Sequence, residues 1–176
     1  MLSGEFRSGW GLRTLARGQA RFNPMSYHNG SVWPHDTALG AAGMAHYGER
    51  DAVTLLMGEI YSAASHFNMR LPELFCGFER QPGEAPIAYP VACLPQAWAA
   101  GSVFLMMQAV LGLSIDAFEQ TVTIVNPSLP AGMERLTVTG LQVGQARTDL
   151  LFRRLGDQVA VTPRNRVGTL KIFTVR

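Results

Sequence analysis

Glu73 is the carboxylate of this sequence whose surroundings best suit acid–base chemistry. It lies between Pro72 and Leu74, in an apolar segment, 71–75, that follows a predicted helix. Carboxyl groups partly withdrawn from water are the ones that enzymes use to exchange protons near neutral pH. A second interpretation stays open, in which Glu73 is a loop residue in contact with water.

A dense polar and aromatic segment, residues 27–36, carries side chains of the types that bind sugars. Its candidates are Tyr27, Asn29, Trp33, His35 and Asp36. Aromatic faces cover the apolar side of a ligand, whereas Asn, Asp and His exchange hydrogen bonds with hydroxyl groups. The segment can equally be a loop packed by its own rings, with Asp36 as the N-cap of a helix over 37–47.

Three further residues are candidates for the wall of a pocket. Gln96 and Trp98 lie at the start of a predicted helix over 95–111, next to a proline-rich loop. Trp98 can also be a core residue, as large aromatic side chains often are. Trp10, between two glycines, can stack on a ligand or simply pack.

The sequence contains no motif of metal, thiol or phosphate chemistry. His28 and His35 do not have the spacing of a zinc-binding helix, and Cys76 and Cys93 lack zinc-finger spacing. Neither a Gly-x-Ser-x-Gly nucleophile elbow nor a P-loop is present. We therefore expect neither a metal nor a cofactor.

The elements that must position these residues change in type near residues 112–120. Helices are predicted over 37–47, 50–67 and 95–111, and the first two form an αα-hairpin. Beyond residue 120, β-branched runs between turn residues predict strands over 121–125, 135–139, 147–153, 158–162 and 169–175. Helices followed by strands indicate two subdomains, which we place at 1–115 and 116–176.

Composition and charge argue against several kinds of partner. The formal net charge is +2, with no block of five or six like charges, so nucleic acid is not expected as a partner. The longest apolar stretch, 101–113, is too short for a bilayer, which needs about 20 apolar residues. No signal peptide is visible. We expect a soluble, cytoplasmic protein without a membrane partner.

Four segments resemble, in order and spacing, the C-terminal part of the bacterial amylo-α-1,6-glucosidase (glycogen debranching enzyme) family. They are 9–15, 23–36, 71–75 and 89–101, and the resemblance runs from about residue 6 to about residue 155. It implies a mainly α fold: a partial (α/α)6 toroid, as in six-hairpin glycosidases, followed by a small antiparallel β-domain.

The resemblance also implies an enzyme, an inverting glycoside hydrolase that cleaves α-1,6-glucosidic linkages of glycogen or limit dextrin. Such enzymes use two carboxyl groups, a general acid and a base that activates water. Glu73 matches the position of the base. The sugar subsite would be lined by Trp33, His35, Asp36 and Gln96, with Tyr27, Asn29 and Trp10 as second choices.

The chain departs from the family because the general-acid aspartate lies upstream of anything in this sequence, and Asp36 matches a sugar-binding position instead. One positioned acid–base group is worth about 10²–10⁴-fold in rate, so we expect the chain alone to be a very poor enzyme. An upstream partner chain or self-association through bare apolar helix faces would fit. Two alternatives stay open: a non-catalytic carbohydrate-binding or assembly module, and part of another inverting toroid glycosidase such as a trehalase.

Overall fold

The computed structural model describes residues 2–175 and forms two compact units, Met1–Met107 and Gln108–Arg176. Three α-helices occur in the described residues: α1 (Pro34–His46), α2 (Arg50–Ser65) and α3 (Ala97–Leu111). Helices α1 and α2 pack against each other, as the predicted αα-hairpin requires. None of the helices between residues 2 and 175 has the length and apolar content needed to span a bilayer.

The core of the first unit is built on the apolar stripe of α2. Val53, Leu56, Ile60 and Ala63 are at most 2% exposed, which confirms the spacing of three and four residues predicted for this helix. Each buried Val, Leu or Ile side chain contributes roughly 1.5–3 kcal/mol of transfer free energy. Burial of this stripe is therefore what fixes the hairpin in place.

Gly11 is where a loop approaches this hairpin most closely. A Cβ atom on Gly11 would lie 2.9 Å from the side chains of both Thr37 and Val32 and 3.3 Å from Cδ1 of Ile60. Its φ of +136° also lies in the region that side chains disfavour. The loop can therefore contact the helices only because this position carries no side chain.

Helix α1 begins at Pro34, so the expectation that Asp36 is its N-cap is wrong. Trp33 occupies the N-cap position and makes no side-chain capping bond. Proline is favoured at the first helical position because its fixed φ suits the helix and its missing N–H needs no partner. Asp36 therefore lies in the first turn, where its negative charge interacts favourably with the helix dipole.

The loops of the first unit are joined by single β-bridges between distant segments. The bridges are Arg7↔Leu12, Arg13↔Val32, Val32↔Phe75 and Phe75↔Ala88. They satisfy backbone hydrogen bonds that buried loops would otherwise leave unpaired. As a result, segments far apart in sequence lie side by side without forming a regular sheet.

The second unit consists of two three-stranded sheets. One has the order β1 (Leu113–Asp116), β2 (Thr121–Val125), β6 (Lys171–Val175), and the other has the order β3 (Arg135–Val143), β4 (Ala146–Leu155), β5 (Gln158–Val167). All five predicted strands are present. Strand β1 was missed because it has four residues, three of them exposed, and shows no buried alternation.

Strand β4 supplies the buried face of the second sheet. Its Thr148, Leu150 and Phe152 are fully buried, and the residues between them lie on the other face. Strand β5 runs five residues beyond the predicted end at Thr162 and includes Pro163. A proline fits there because β5 lies at a sheet edge, where one side of the strand needs no partner.

The expected mainly α fold with a partial toroid is wrong. Helix accounts for 25% of the residues, and the strands of two small sheets together with the single β-bridges account for 28%. The segments before α1 and between α2 and α3 lack a helical period and form turns and single bridges instead. The expected antiparallel β-domain is also wrong in part, because β2 and β6 pair in parallel.

Candidate active site

The predicted sugar-binding segment and the segment of Glu73 are neighbours in the first unit. Val32 and Phe75 exchange two backbone hydrogen bonds, of 2.9 and 3.0 Å. The Gly77 N–H donates to the carbonyl of Pro24 at 2.8 Å, and the Thr14 N–H donates to that of Ser31 at 2.9 Å. These bonds bring segments 9–15, 23–36 and 71–75 together.

Glu73 is buried and both of its carboxyl oxygens have a donor. Its exposed fraction is 8%. The Tyr27 hydroxyl donates to Oε1 at 2.7 Å, and the Cys93 N–H donates to Oε2 at 3.4 Å. The Glu73 N–H in turn donates to the Cys93 carbonyl at 2.9 Å, which fixes the backbone beneath the carboxyl group. Hydrogen bonds of this kind hold the orientation of a carboxyl group.

Tyr27 donates to Glu73 while its ring lies among other rings. Its hydrogen bond to Glu73, followed by desolvation, raises the pKa of Tyr27 to about 12. The hydroxyl therefore keeps its proton throughout the physiological pH range. The ring makes edge contacts with Trp33 and His28, each at 4.7 Å between centroids, and with Tyr89 at 5.7 Å. Tyr27 thus connects Glu73 to an aromatic group.

This aromatic group, called here the ring cluster, consists of Tyr27, Trp33, His35, Tyr89 and Trp98. Trp33 is 5% exposed, and its Nε1 donates to the Tyr27 carbonyl and the Ser31 hydroxyl, both at 3.0 Å. His35 stacks on Trp98 with centroids 4.4 Å apart and planes 16° apart. Trp98 is 48% exposed, so the alternative interpretation of Trp98 as a core residue is wrong. The cluster runs from buried Glu73 to an open indole face.

Asp36 contacts the ring cluster through His35, and Gln96 lies two residues before Trp98 in the chain. Oδ1 of Asp36 lies 3.2 Å from Nε2 of His35, and the Asp36 side chain is 47% exposed. Nδ1 of His35 is buried and has no hydrogen-bond partner among residues 2–175. Oε1 of Gln96 accepts the N–H of Ala97 at 3.0 Å, in the turn that leads into α3. A polar ligand beside His35 would therefore meet the exposed carboxylate of Asp36, whereas Nδ1 of His35 is out of its reach.

Asn29 and Trp10 are engaged in other contacts. Asn29 is held through its backbone, with its N–H donated to the Ser26 hydroxyl at 3.2 Å. Trp10 is 3% exposed, carries the Arg80 guanidinium over its ring at 4.2 Å and has His66 at its edge. A ring that is covered in this way offers no face to a sugar. Within the described chain, no aromatic contact joins Trp10 to the ring cluster.

The sequence does not single out three groups that help to hold this part of the first unit together. They are Arg13, Tyr89 and the backbone of Cys93. Arg13 is 3% exposed, and its guanidinium donates to the carbonyls of Gly77, Gly4, Glu5 and Arg7 at 2.6–3.2 Å. Burial lowers the pKa of Arg13, with nearby Arg17 as the second cause. The sequence does carry one sign that Arg13 is buried, because it is the charged residue of a segment, 11–16, whose other residues are small or apolar.

A cavity of about 380 Å³ lies elsewhere in the first unit. Its lining includes the exposed Arg17–Glu79 ion pair together with Phe22, Phe78 and Gln81. None of the predicted site residues lines it. Across residues 2–175, no group of three or more His, Cys, Asp or Glu side chains is arranged to hold a metal ion.

Residues 1–75 match a protein family described as the mannosylglycerate hydrolase MGH1-like glycoside hydrolase domain. The matched segment covers less than half of the chain and includes Tyr27, Trp33 and Glu73. The match supports a glycoside hydrolase family in general, and it does not single out amylo-α-1,6-glucosidase. A comparison with curated proteins finds no significant relative.

Proposed function

We propose that the first unit carries the base-bearing part of an inverting glycoside hydrolase site that acts on α-1,6-glucosidic linkages of glycogen-like glucans. One observation carries this proposal. A buried carboxyl group, Glu73, receives a donor on each oxygen and lies at the inner end of a ring cluster whose outer end, Trp98, is open to solvent. The match of residues 1–75 and the four resembling segments support the same class of reaction.

In this proposal Glu73 is the general base. Ionised Glu73 accepts a proton from water, which then attacks the anomeric carbon. The Tyr27 hydroxyl and the Cys93 N–H hold the carboxylate in one orientation, so that little reorganisation is needed when the proton is transferred. Tyr27 acts as a positioning residue rather than as a ring that stacks on sugar.

The sugar subsite is proposed to lie along the outer part of the ring cluster. Trp98 offers an exposed aromatic face, His35 stacks on that ring, and Asp36 offers an exposed carboxylate beside it. Gln96, at the start of α3, is the fourth candidate. The proton for the leaving oxygen comes from a second carboxylic acid outside the ring cluster, because Asp36 is exposed and already paired with His35.

Mannosylglycerate is a second candidate substrate, because it is the compound named in the description of the matching family. It differs from a glucan in carrying a carboxylate next to the scissile linkage. Hydrolysis of mannosylglycerate in preference to a branched glucan would retain Glu73 as the base and change the substrate.

The test is to measure sugar release from branched limit dextrin and from mannosylglycerate by wild type and by Glu73→Gln. We expect the substitution to reduce any hydrolysis by about 10²–10⁴-fold and to leave oligosaccharide binding in place. Glu79→Gln is the matched control, because Glu79 is exposed and pairs with Arg17 away from the ring cluster.

Two results would contradict the proposal. Hydrolysis that survives in Glu73→Gln would remove Glu73 from the role of base. A wild-type protein that binds oligosaccharide tightly and cleaves neither substrate, even with a supplied partner chain, would favour a non-catalytic carbohydrate-binding module.

A further inference from the structure

The outward face of the β3–β4–β5 sheet carries four arginines, called here the arginine face. Strand β4 keeps a regular alternation, so Arg147, Asp149, Leu151 and Arg153 point to the same side. Paired residues on neighbouring strands share that side. Arg135 on β3 is opposite Arg153, and Arg164 on β5 is opposite Asp149.

None of the four arginines forms a direct ion pair with a described residue, although the charge of Arg147 acts on the carboxylate of Asp149. The ion pairs of residues 2–175 do not include Arg135, Arg147, Arg153 or Arg164. Asp149 is the nearest acidic residue by register, but its two oxygens accept hydrogen bonds from the Gly140 N–H at 2.6 Å and from Asn165 Nδ2 at 2.7 Å. The four arginines are exposed residues, and none of the side-chain hydrogen bonds described for residues 2–175 uses their guanidinium groups.

The placement of Arg135 opposite Arg153 is unfavourable for the isolated sheet. Like charges directly opposite each other on paired strands destabilise the pairing. The charge is also concentrated in this unit: residues 108–176 contain eight Lys and Arg and five Asp and Glu, whereas residues 1–107 contain seven and eight. A negatively charged partner would relieve this repulsion.

The arginines are spaced for an extended partner rather than for a single small ion. Asp149 and Arg153 are four residues apart on β4, which separates Arg164 from the Arg135–Arg153 pair by about 14 Å at about 3.4 Å per residue. Thr137, Leu151 and Thr162 form the row between them, and the two threonines offer hydroxyl groups. The guanidinium group of an arginine can bind a carboxylate or a phosphate through two parallel hydrogen bonds.

We propose that the arginine face binds an acidic polysaccharide. Single-stranded nucleic acid fits less well, because such sites stack bases on aromatic rings and the aromatic residue of these three strands, Phe152, is fully buried on the opposite face. Charge complementarity and the threonine hydroxyls favour a chain of sugars with carboxylate groups. The choice of a polysaccharide rests on the proposed function, whereas the binding itself does not involve Glu73.

The experiment measures binding of the full chain to polygalacturonate, with fully methyl-esterified polygalacturonate as the uncharged polymer of the same backbone. We expect Arg135→Gln/Arg153→Gln to weaken binding at least about tenfold and to reduce its dependence on salt, since fewer counterions are released. Arg21→Gln/Arg70→Gln removes the same charge from exposed positions of the first unit and should leave the affinity unchanged.

The proposal is overturned if the two double variants bind equally, or if the esterified polymer binds as well as the acid. It is also overturned if duplex DNA binds as tightly as polygalacturonate at the same salt concentration, which would make the partner a nucleic acid. Glu73→Gln should bind polygalacturonate like wild type. The experiments therefore distinguish a failure of the proposed hydrolase function from a failure of the arginine-face proposal.

Discussion

The two units hold their charged groups by different means, as a comparison of the ring cluster in the first unit with the arginine face in the second shows. Glu73 is buried, and a hydroxyl and a backbone N–H hold its oxygens. The arginines are exposed and placed by strand register alone. In the first unit, position depends on a few specific long-range contacts between loops. In the second, it depends on a repeated hydrogen-bond ladder, which tolerates the change of a single side chain.

The largest effect should come from Gly77→Ala, which attacks a loop contact of the first unit. A Cβ atom on Gly77 would overlap the Gly30 carbonyl oxygen and lie 2.8 Å from the carbonyl carbon, so the two loops must separate. We expect the free energy of unfolding to fall by about 2–3 kcal/mol, as overpacking of a buried position does. Urea unfolding followed by tryptophan fluorescence measures it, because all three tryptophans lie in the first unit.

Gly43→Ala is the matched control in the same unit. Gly43 lies inside α1, a Cβ atom added there would meet nothing within 4 Å, and its φ is not in the left-handed region. Alanine should therefore raise the free energy of unfolding by about 0.5–1 kcal/mol. Similar results for the two alanine variants would mean that the loops do not depend on their close contact.

Tyr27→Phe should have an intermediate effect, on catalysis rather than on folding. It removes the donor to Oε1 of Glu73 and keeps the ring contacts with Trp33 and Tyr89. We expect kcat to fall roughly tenfold, the usual scale for one hydrogen bond to a charged group. KM should change little, because the ring and its contacts remain in place.

A structural role of Tyr27 would give a different pattern. Tyr27→Leu, which removes ring and hydroxyl together, separates the two roles. If Tyr27→Phe leaves kcat unchanged and only KM changes, Tyr27 binds sugar and does not position Glu73.

The smallest effect should come from Asp149→Asn, which tests the second unit. Hydrogen bonds from Asn165 and the Gly140 N–H, with the charge of Arg147 as a further contribution, lower the pKa of Asp149. A carboxyl group with a lowered pKa in the folded state stabilises the fold above its ordinary pKa and loses this contribution as pH falls through the lowered value.

Asp149→Asn should therefore make the second unit less sensitive to acid below about pH 4, the ordinary pKa range of aspartate. The methyl resonances of Leu150 and Leu151, followed by NMR between about pH 2 and 6, report this unit alone. An acid transition identical to that of wild type would mean that Asp149 adds nothing to the stability of the sheet.

The regular elements could be predicted from the sequence, whereas the fold class could not. The stripe of α2 and the five strands follow from periodicity and turn residues, and they are where expected. The start of α1 was misplaced because Asp36 resembles a cap, while Pro34 in fact takes the first position. The toroid was inferred from resemblance, and bridged loops occupy segments that would have had to be helical.

The candidate site could be predicted as a set of residues but not as a geometry. Tyr27 and Glu73 are 46 residues apart, and no local pattern signals that a hydroxyl in one loop donates to a carboxylate in another. The Cys93 N–H is a backbone group and leaves no mark in the sequence. Trp10 illustrates the converse, because glycine neighbours suggest an accessible ring and the structure covers it with Arg80 and His66.

Sugar binding along the ring cluster, with the anomeric carbon near position 73, is the central claim. A crystal structure of Glu73→Gln soaked with a short α-1,6-linked glucose oligosaccharide tests this directly. We predict a glucosyl unit against the exposed face of Trp98, with a hydroxyl or water within hydrogen-bond reach of the amide that replaces the carboxylate. Sugar bound instead in the cavity beside Arg17 and Glu79, with the ring cluster empty, would contradict the account.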